Sequence, residues 1–268
     1  MAAATLAGAA PVPAHLPEVR IAVLAHRGEE MAVSAWQPTA EYLTRAVPGH
    51  RFVIVPLMNA TLPPAVADGR VDFVITNPGS YAGLEAGYGV TRMLTLRNLR
   101  QGKPYTRFGA VIFTRADRAD IDTLADLRGK SFMGVRRGAF GGYQMAWREL
   151  KAAGLNPDRD FAPLEFGGLP QDNIVYAVRD RRIDAGTVRT DTLERMAEEG
   201  KIALGDFKVI NQQQANGFPF LLSTRLYPEW PFARLGHVDE ALAQQVVVAL
   251  LQLTPDSHAA RASQSAGW

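Results

Sequence analysis

Two adjacent arginines open the segment of this sequence that is best suited to bind an anion. Arg136 and Arg137 precede small or aromatic residues that lead into a predicted helix, namely Gly138, Ala139, Phe140 and Gly141. A guanidinium group donates parallel hydrogen bonds to an oxyanion, and the first N–H groups of a helix lack intrahelical partners. The pattern predicts an anion site made of side chains and backbone amides. The alternative interpretation is a tight glycine turn beside two solvated arginines.

Three more loops that follow predicted strands carry hydrogen-bond donors. They contain His26 and Arg27, then Asn77, Ser80 and Tyr81, and last Arg189, Thr190 and Asp191. Asn77 with Ser80 also fits a turn with a helix cap, and Asp191 also fits the N-cap of the next helix. Because the carboxyl ends of parallel strands meet at one edge of a sheet, we expect these loops to converge on one ligand site.

An anion enclosed in such a site needs compensating positive charge nearby. The first half of the chain offers mainly neutral donors at its strand ends, apart from Arg27. We therefore expect the charge to come from Arg136 or Arg137 and from Arg189, together with the backbone amides of residues 139–142. Arg189 is the favoured cation because it directly follows a predicted strand. Tyr81 is expected to offer a face for the ligand.

Composition argues against several classes of chemistry. The 268 residues include no Cys, which excludes thiolate catalysis and Cys-based metal sites, and 29 basic against 27 acidic residues leave a charge of only +2. No basic run interleaved with aromatics suggests nucleic acid. The five histidines show no metal-ligand spacing, and residues 129–131 lack the upstream glycine of a phosphate loop, since position 124 is Leu124. The sequence predicts a non-catalytic domain without cofactor or metal.

The elements that would position these loops alternate regularly between strand and helix. Strands are predicted at 19–25, 51–57 and 71–76, with helices at 32–47 and 62–68 between them. After strand-like segments at 92–99 and 108–114, a second series begins, with strands at 131–135, 161–166, 183–188 and 207–212. Helices are predicted at 141–153, 172–180, 191–199 and 239–253. This α/β pattern predicts two βαβ lobes with a ligand cleft between them.

The interruption of the strand–helix alternation between the two series predicts the boundaries of the lobes. We expect lobe one to comprise residues 18–106 and 221–268, and lobe two residues 107–220. The chain would cross at 102–107 and again at 218–220, and these two crossings would form the hinge. Residues 1–17, which are small, apolar and poor in charge, are expected to be a disordered leader or a signal remnant.

Several motifs resemble a known family. The runs at 21–30 and 36–43 resemble the phosphonate-binding-like branch of periplasmic solute-binding proteins. Those at 71–81, 184–191, 218–220 and 226–232 look closer still to the sensor domains of tetrathionate-sensor-type histidine kinases. The resemblance implies a type II periplasmic-binding-protein fold that closes on a small anionic ligand, in an extracytoplasmic location. Phosphonate binders grip the anion with small hydroxyl residues at a helix N-terminus, whereas the matching residues here, 138–142, contain no Ser or Thr.

Three functions follow from this resemblance. The leading one is the periplasmic sensor domain of a two-component kinase for a sulfur oxyanion, joined in the full-length protein to a C-terminal membrane helix and a kinase outside this sequence. The second is a solute-binding protein that delivers phosphonate, phosphite or a related anion to an ABC permease. The third is an enzyme on the same fold, which the lack of a base–nucleophile pair disfavours.

Overall fold

The computed structural model describes residues 16–268, so most of the predicted leader lies outside the described residues. Within that range the strands are β1 Glu18–Leu24, β2 Arg51–Leu57, β3 Phe73–Ile75, β4 Thr91–Thr95, β5 Asn98–Arg100, β6 Lys103–Tyr105, β7 Arg107–Phe108, β8 Ala110–Arg115, β9 Phe132–Gly134, β10 Leu164–Phe166, β11 Ala185–Arg189, β12 Phe207–Ile210, β13 Tyr227–Pro228 and β14 Pro231–Arg234. The helices are α1 Glu29–Ala46, α2 Leu62–Ala67, α3 Pro78–Tyr88, α4 Met145–Ala152, α5 Pro157–Asp160, α6 Asp172–Arg179, α7 Thr192–Glu198, α8 Glu240–Leu251 and α9 His258–Ala262. A π-helical turn, Phe140–Gln144, leads directly into α4.

The first sheet has the strand order β2-β1-β3-β14-β4. The three N-terminal strands pair in parallel, which confirms the βαβαβ prediction, whereas β14 inserts antiparallel between β3 and β4. Helix α1 covers one face through the predicted stripe of Ala32, Trp36, Ala40 and Leu43, and Pro38 lies within the helix without ending it. These side chains pack with the C-terminal helices in one core, so the end of the chain belongs to the first lobe.

The second sheet has the order β10-β9-β11-β8-β12. Strands β10, β9 and β11 are parallel, and β8 is antiparallel to both β11 and β12. Apolar side chains fill both faces of this sheet, as a sheet covered by helices requires. The two sheets are separate, which confirms the two-lobed α/β architecture.

The two chain crossings between the lobes pair with each other. Strand β7 is antiparallel to β13, and the Glu229 amide donates to the Thr106 carbonyl at 2.8 Å. We therefore propose that the second crossing lies near residues 227–230 instead of at the predicted 218–220. The reason is that Ser223 and Thr224 accept hydrogen bonds from the backbone of Ile112 and Ala110 and so lie along β8. We propose that lobe two extends to about residue 225.

Among residues 16–268, no helix combines the length and apolar character needed to cross a bilayer.

Candidate functional site

A cavity of about 240 Å³ lies between the lobes, at the strand ends where the sequence predicted a site. Eight of the fourteen predicted site residues line it: His26, Arg27, Asn77, Arg136, Ala139, Phe140, Gly141 and Arg189. The wall holds four arginines and no carboxylate among the described residues, and several aromatic rings. The arrangement is suited to an anion whose body packs against aromatic surface.

The two adjacent arginines point to different environments. Arg136 lines the cavity, and its Nε is buried without an acceptor among the described residues. Arg137 instead is exposed, pairs with Asp158 and lies over the Phe166 ring at 5.3 Å. Arg137 therefore does not line the cavity, and its guanidinium group pairs with a carboxylate on the surface of the second lobe. Arg136 has no ion pair with any residue from 16 to 268, so its charge is available to a ligand.

Arg189 lines the cavity, but its charge is already compensated. It forms an ion pair with Glu229, which is 1% exposed, and its Nε lies 3.7 Å from Asp191. Its guanidinium carbon sits 4.0 Å from the centre of the Phe108 ring, and its amide donates to Gln171. Arg189 thus lies in the cavity wall as expected of the main ligand cation, but the buried Glu229 carboxylate already compensates its charge.

The residues after Arg189 have structural roles. The Thr190 hydroxyl accepts from the Gly109 amide at 3.1 Å, outside the cavity wall. Asp191 has φ 75° and its side chain makes no cap hydrogen bond, so the N-cap prediction is wrong. Its carboxylate pairs with Arg100 and faces an adjoining groove instead of the cavity. Arg100 and Arg189 thus pair with the carboxylates of Asp191 and Glu229. The other two arginines of the cavity wall, Arg27 and Arg136, have no ion-pair partner among the described residues.

The loop after β3 contributes one side chain to the cavity. Asn77 caps α3, accepting from the Ser80 amide at 2.9 Å and donating to the Ser80 hydroxyl at 3.1 Å, and it also lines the cavity. Ser80 lies outside the cavity wall. Tyr81 lies outside it as well, because its hydroxyl donates to Glu85 and accepts from the Arg92 amide. The turn-and-cap interpretation thus accounts for Ser80, and the structure does not bring the Tyr81 ring to the cavity wall.

The loop before α4 contacts the first lobe across the cleft. Gly138 does not line the cavity; its carbonyl faces the Asn59 side-chain amide at 3.4 Å. Phe140 packs against Gly79 at the start of α3, where an added Cβ would stand 2.6 Å from the ring carbon Cδ2. The lobes are thus in contact over the cavity, and only glycine at position 79 allows this approach.

Gly79→Ala should weaken ligand binding, because the added methyl group pushes Phe140 away and opposes lobe closure. Overpacking by one methyl group costs about 1 kcal/mol, which corresponds to roughly a fivefold rise in Kd. The measurement is calorimetric titration with the anion that binds the parent protein. Gly83→Ala is the matched control on the same helix, since its Cβ meets nothing within 4 Å. Equal affinity in both variants would contradict this role for Gly79.

His26 lies at the edge of the positively charged wall. The pKa of His26 is lowered from 6.5 to about 4. Burial is the main cause, and the nearby positive charges of Arg27, Arg136 and Arg189 contribute to the same shift. Its Nδ1 is 3.4 Å from the Leu24 carbonyl, and its ring meets Trp230 edge-on at 4.8 Å. His26 is therefore neutral near pH 7 and acts as a hydrogen-bonding group there.

The lowered pKa of His26 predicts a stability that depends on pH. The unfolded chain binds the proton more tightly, so the stabilisation is complete above pH 6.5 and is lost as the pH falls from 6.5 towards 4. The loss amounts to at most about 3 kcal/mol. Denaturant unfolding of the parent and of His26→Gln between pH 7 and pH 4 tests this. Parallel pH profiles for the two proteins would contradict it.

Several cavity residues escaped the sequence analysis. They are spread over both lobes and include Trp36, Asn98, Arg100, Gln171, Trp230, Ser263 and Gln264. Trp36 was not among the predicted site residues, and the C-terminal residues carry no local motif. Only their tertiary placement brings them to the wall. Within residues 16–268 no cluster of His, Asp and Glu could hold a metal ion.

Comparison with known proteins identifies the family of this chain. The family model for the periplasmic substrate-binding protein of phosphonate ABC transporters matches residues 21–268. A tetrathionate sensor histidine kinase from Salmonella typhimurium is 41% identical over 231 residues, which are 86% of this chain. The chain spans only 38% of the length of that curated relative.

Solved structures share the fold at low identity. A protein from Xanthomonas citri bound to ATP superposes with a TM-score of 0.73 at 21% identity, covering 93% of this chain and 90% of that one. A phosphonate-binding protein from Prochlorococcus marinus in complex with methylphosphonate gives 0.65 at 12% identity, covering 92% and 88%. With the matched family model, these findings settle the family. The chain belongs to the phosphonate-binding family of periplasmic substrate-binding proteins.

Proposed function

We propose that this chain is the extracytoplasmic sensor domain of a two-component histidine kinase and binds a small sulfur oxyanion by closure of its two lobes. The observation that carries the proposal is the cavity itself, in which Arg27 and Arg136 have no ion-pair partner among the described residues. A cleft with two uncompensated cations favours a ligand with matching negative charge. The domain binds its ligand without chemical conversion.

The sensor assignment rests on the 41% identity to a tetrathionate sensor histidine kinase over most of this chain. The aromatic rings at Trp36, Phe108, Phe140 and Trp230 suit this class of ligand, because they offer apolar surface to a polarisable body between charged ends. The partners of the domain would be a membrane helix and a kinase in the full-length protein.

The family match supports a second function, delivery of a phosphonate to an ABC permease. Against it, residues 138–142 before α4 carry no hydroxyl side chain to grip a phosphonate. The loop before α4 would then hold the anion through the Arg136 guanidinium and backbone amide groups, without a hydroxyl side chain. The two functions therefore differ in the ligand expected to bind.

Thermal unfolding with tetrathionate, thiosulfate and methylphosphonate tests the proposal. A bound anion at about 100 times its Kd adds roughly 2.7 kcal/mol to the free energy of unfolding. We expect tetrathionate or thiosulfate to stabilise the protein and methylphosphonate to have little effect. Stabilisation by methylphosphonate alone would favour the transporter function, and no stabilisation by any of the three would contradict the proposal.

A calorimetric titration then gives the Kd of the stabilising anion, and a chimera tests signalling. In the chimera this chain replaces the matched 231 residues of the Salmonella typhimurium kinase. We expect its autophosphorylation to respond to tetrathionate. A chimera that folds and binds tetrathionate but does not respond would contradict the sensor role while leaving the binding function in place.

A further inference from the structure

The last residues of the chain lie at the cavity and beside residues 97–99 of the first lobe. Ala262, the last residue of α9, lines the cavity together with Ser263 and Gln264. The residues that follow run antiparallel to β5, where Asn98 bridges Ser265. The C-terminal segment, defined here as residues 263–268, therefore contacts both the space for the ligand and the strand that precedes the first crossing.

Three backbone hydrogen bonds hold the C-terminal segment to residues 97–99, which precede the first crossing. The Arg97 amide donates to the Gly267 carbonyl at 2.9 Å, the Leu99 amide to the Gln264 carbonyl at 3.0 Å, and the Ala266 amide to the Arg97 carbonyl at 2.6 Å. We call this set the C-terminal ladder. Asn98 and Leu99 belong to β5, so the ladder joins residues 264–267 to the segment that precedes the first crossing.

A buried polar contact links β5, which carries part of the C-terminal ladder, to the second lobe. The Asn98 side chain donates to the Glu229 carboxylate at 3.2 Å, and Glu229 in turn pairs with Arg189 of the second lobe. Asn98 and Arg189 both line the cavity. A displacement of Arg189 relative to the first lobe therefore acts on Asn98 and, through it, on the ladder.

An aromatic contact gives a second, independent connection. Trp268 is 8% exposed, and its ring lies 5.9 Å from that of Trp36, which lines the cavity. It also meets Phe232 of β14 at 5.4 Å. The C-terminal residue is thus packed against the back of a cavity wall residue.

We propose that the C-terminal segment couples occupancy of the cavity to order at the C-terminus, so that anion binding tightens the C-terminal ladder. The coupling rests on the proposed function, since it needs an anion in the cavity. The coupling is reciprocal. The anion lowers the equilibrium constant for opening of the ladder by a certain factor, and the open form binds the anion more weakly by the same factor.

Gly267 offers a way to disturb the ladder without touching the cavity wall. Its φ is 92°, and an added Cβ would stand 2.7 Å from the Leu253 carbonyl oxygen. Gly267→Ala should therefore displace the ladder and raise the Kd for tetrathionate about fivefold or more. Gly236→Ala is the control in the same lobe, because its Cβ meets nothing within 4 Å and its φ is not in the left-handed region.

The direct test is amide hydrogen exchange of the parent protein with and without tetrathionate, with binding measured separately by calorimetry. We expect exchange of the Arg97, Leu99 and Ala266 amides to slow at least tenfold more than that of the Arg70 and Gly129 amides, which are hydrogen-bonded outside the ladder. This measurement stands even if Gly267→Ala does not fold.

The outcomes separate the two proposals. Tetrathionate binding with no selective slowing at the ladder would overturn the coupling and leave the proposed function intact. Equal affinity in the folded Gly267→Ala and Gly236→Ala variants would also overturn the coupling. Absence of tetrathionate binding to the parent would contradict the proposed function, and the coupling would fall with it.

Discussion

Arg136→Ala should weaken anion binding roughly ten- to a hundredfold, whereas Arg137→Ala should leave it unchanged. A charge-assisted hydrogen bond contributes about 1.5–3 kcal/mol, and Arg136 lines the cavity with a buried Nε that has no acceptor among the described residues. Arg137 directs the same functional group to Asp158 on the surface. The two variants remove equal charge from adjacent positions, so they separate a contact in the cavity from a general electrostatic effect.

The measurement is isothermal titration of both variants with tetrathionate at two salt concentrations. Circular dichroism and thermal unfolding serve as the check that both variants fold. Long-range attraction between exposed charges is screened at 0.15 M salt over about 8 Å, so a loss that persists at this salt reports a direct contact. Equal loss of affinity in both variants, or none in either, would contradict the assignment of Arg136.

Glu229→Gln should destabilise the protein by about 3 kcal/mol or more. Glu229 is 1% exposed and is the main partner of Arg189, so its loss leaves a buried guanidinium with only Asp191 at 3.7 Å. Removal of one partner of a buried ion pair typically costs about 3–5 kcal/mol. Urea unfolding at pH 7 measures this change in the free energy of unfolding.

Two further variants make the interpretation specific. Asp158→Asn removes an exposed ion pair in the same lobe as Arg189, with side chains 64% and 49% exposed, and should cost less than about 1 kcal/mol. Arg189→Met added to Glu229→Gln removes the unpaired charge and should recover part of the loss, so the two changes are not additive. A Glu229→Gln variant as stable as the parent would show that Arg189 needs no carboxylate partner.

Most of the fold could be predicted from the sequence because its signals are local. Buried parallel strands gave continuous apolar runs, so β2 was predicted at its observed bounds and β1 within one residue. The stripe on α1 follows from the helical period alone. Strand β14 was missed because its four residues begin with Pro231 and show no alternation. Its place between β3 and β4 depends on partners more than 130 positions away in the chain.

The candidate site was predicted less completely than the fold. Loops at strand ends could be found from the order of the elements, and Arg27, Asn77 and Phe140 indeed line the cavity. The Ser80 hydroxyl instead accepts from the Asn77 side-chain amide, and the Thr190 hydroxyl accepts from the Gly109 backbone amide. Ser80 and Thr190 were therefore correctly identified as hydrogen-bonding residues, but local sequence could not show which groups they bond.

The sequence by itself determined the two-lobed α/β architecture, the family and the edge of the sheets at which a ligand is expected, because periodicity, strand ends and motifs are properties of neighbouring residues. Tertiary structure alone decided which cations are available there. Arg136 and Arg137 are chemically identical neighbours, yet one lines the cavity and the other pairs with Asp158. Arg189, the favoured cation, is neutralised by Glu229 from forty positions away. Electrostatic interactions depend on distance in space and on burial, and neither is encoded in the spacing of residues along the chain.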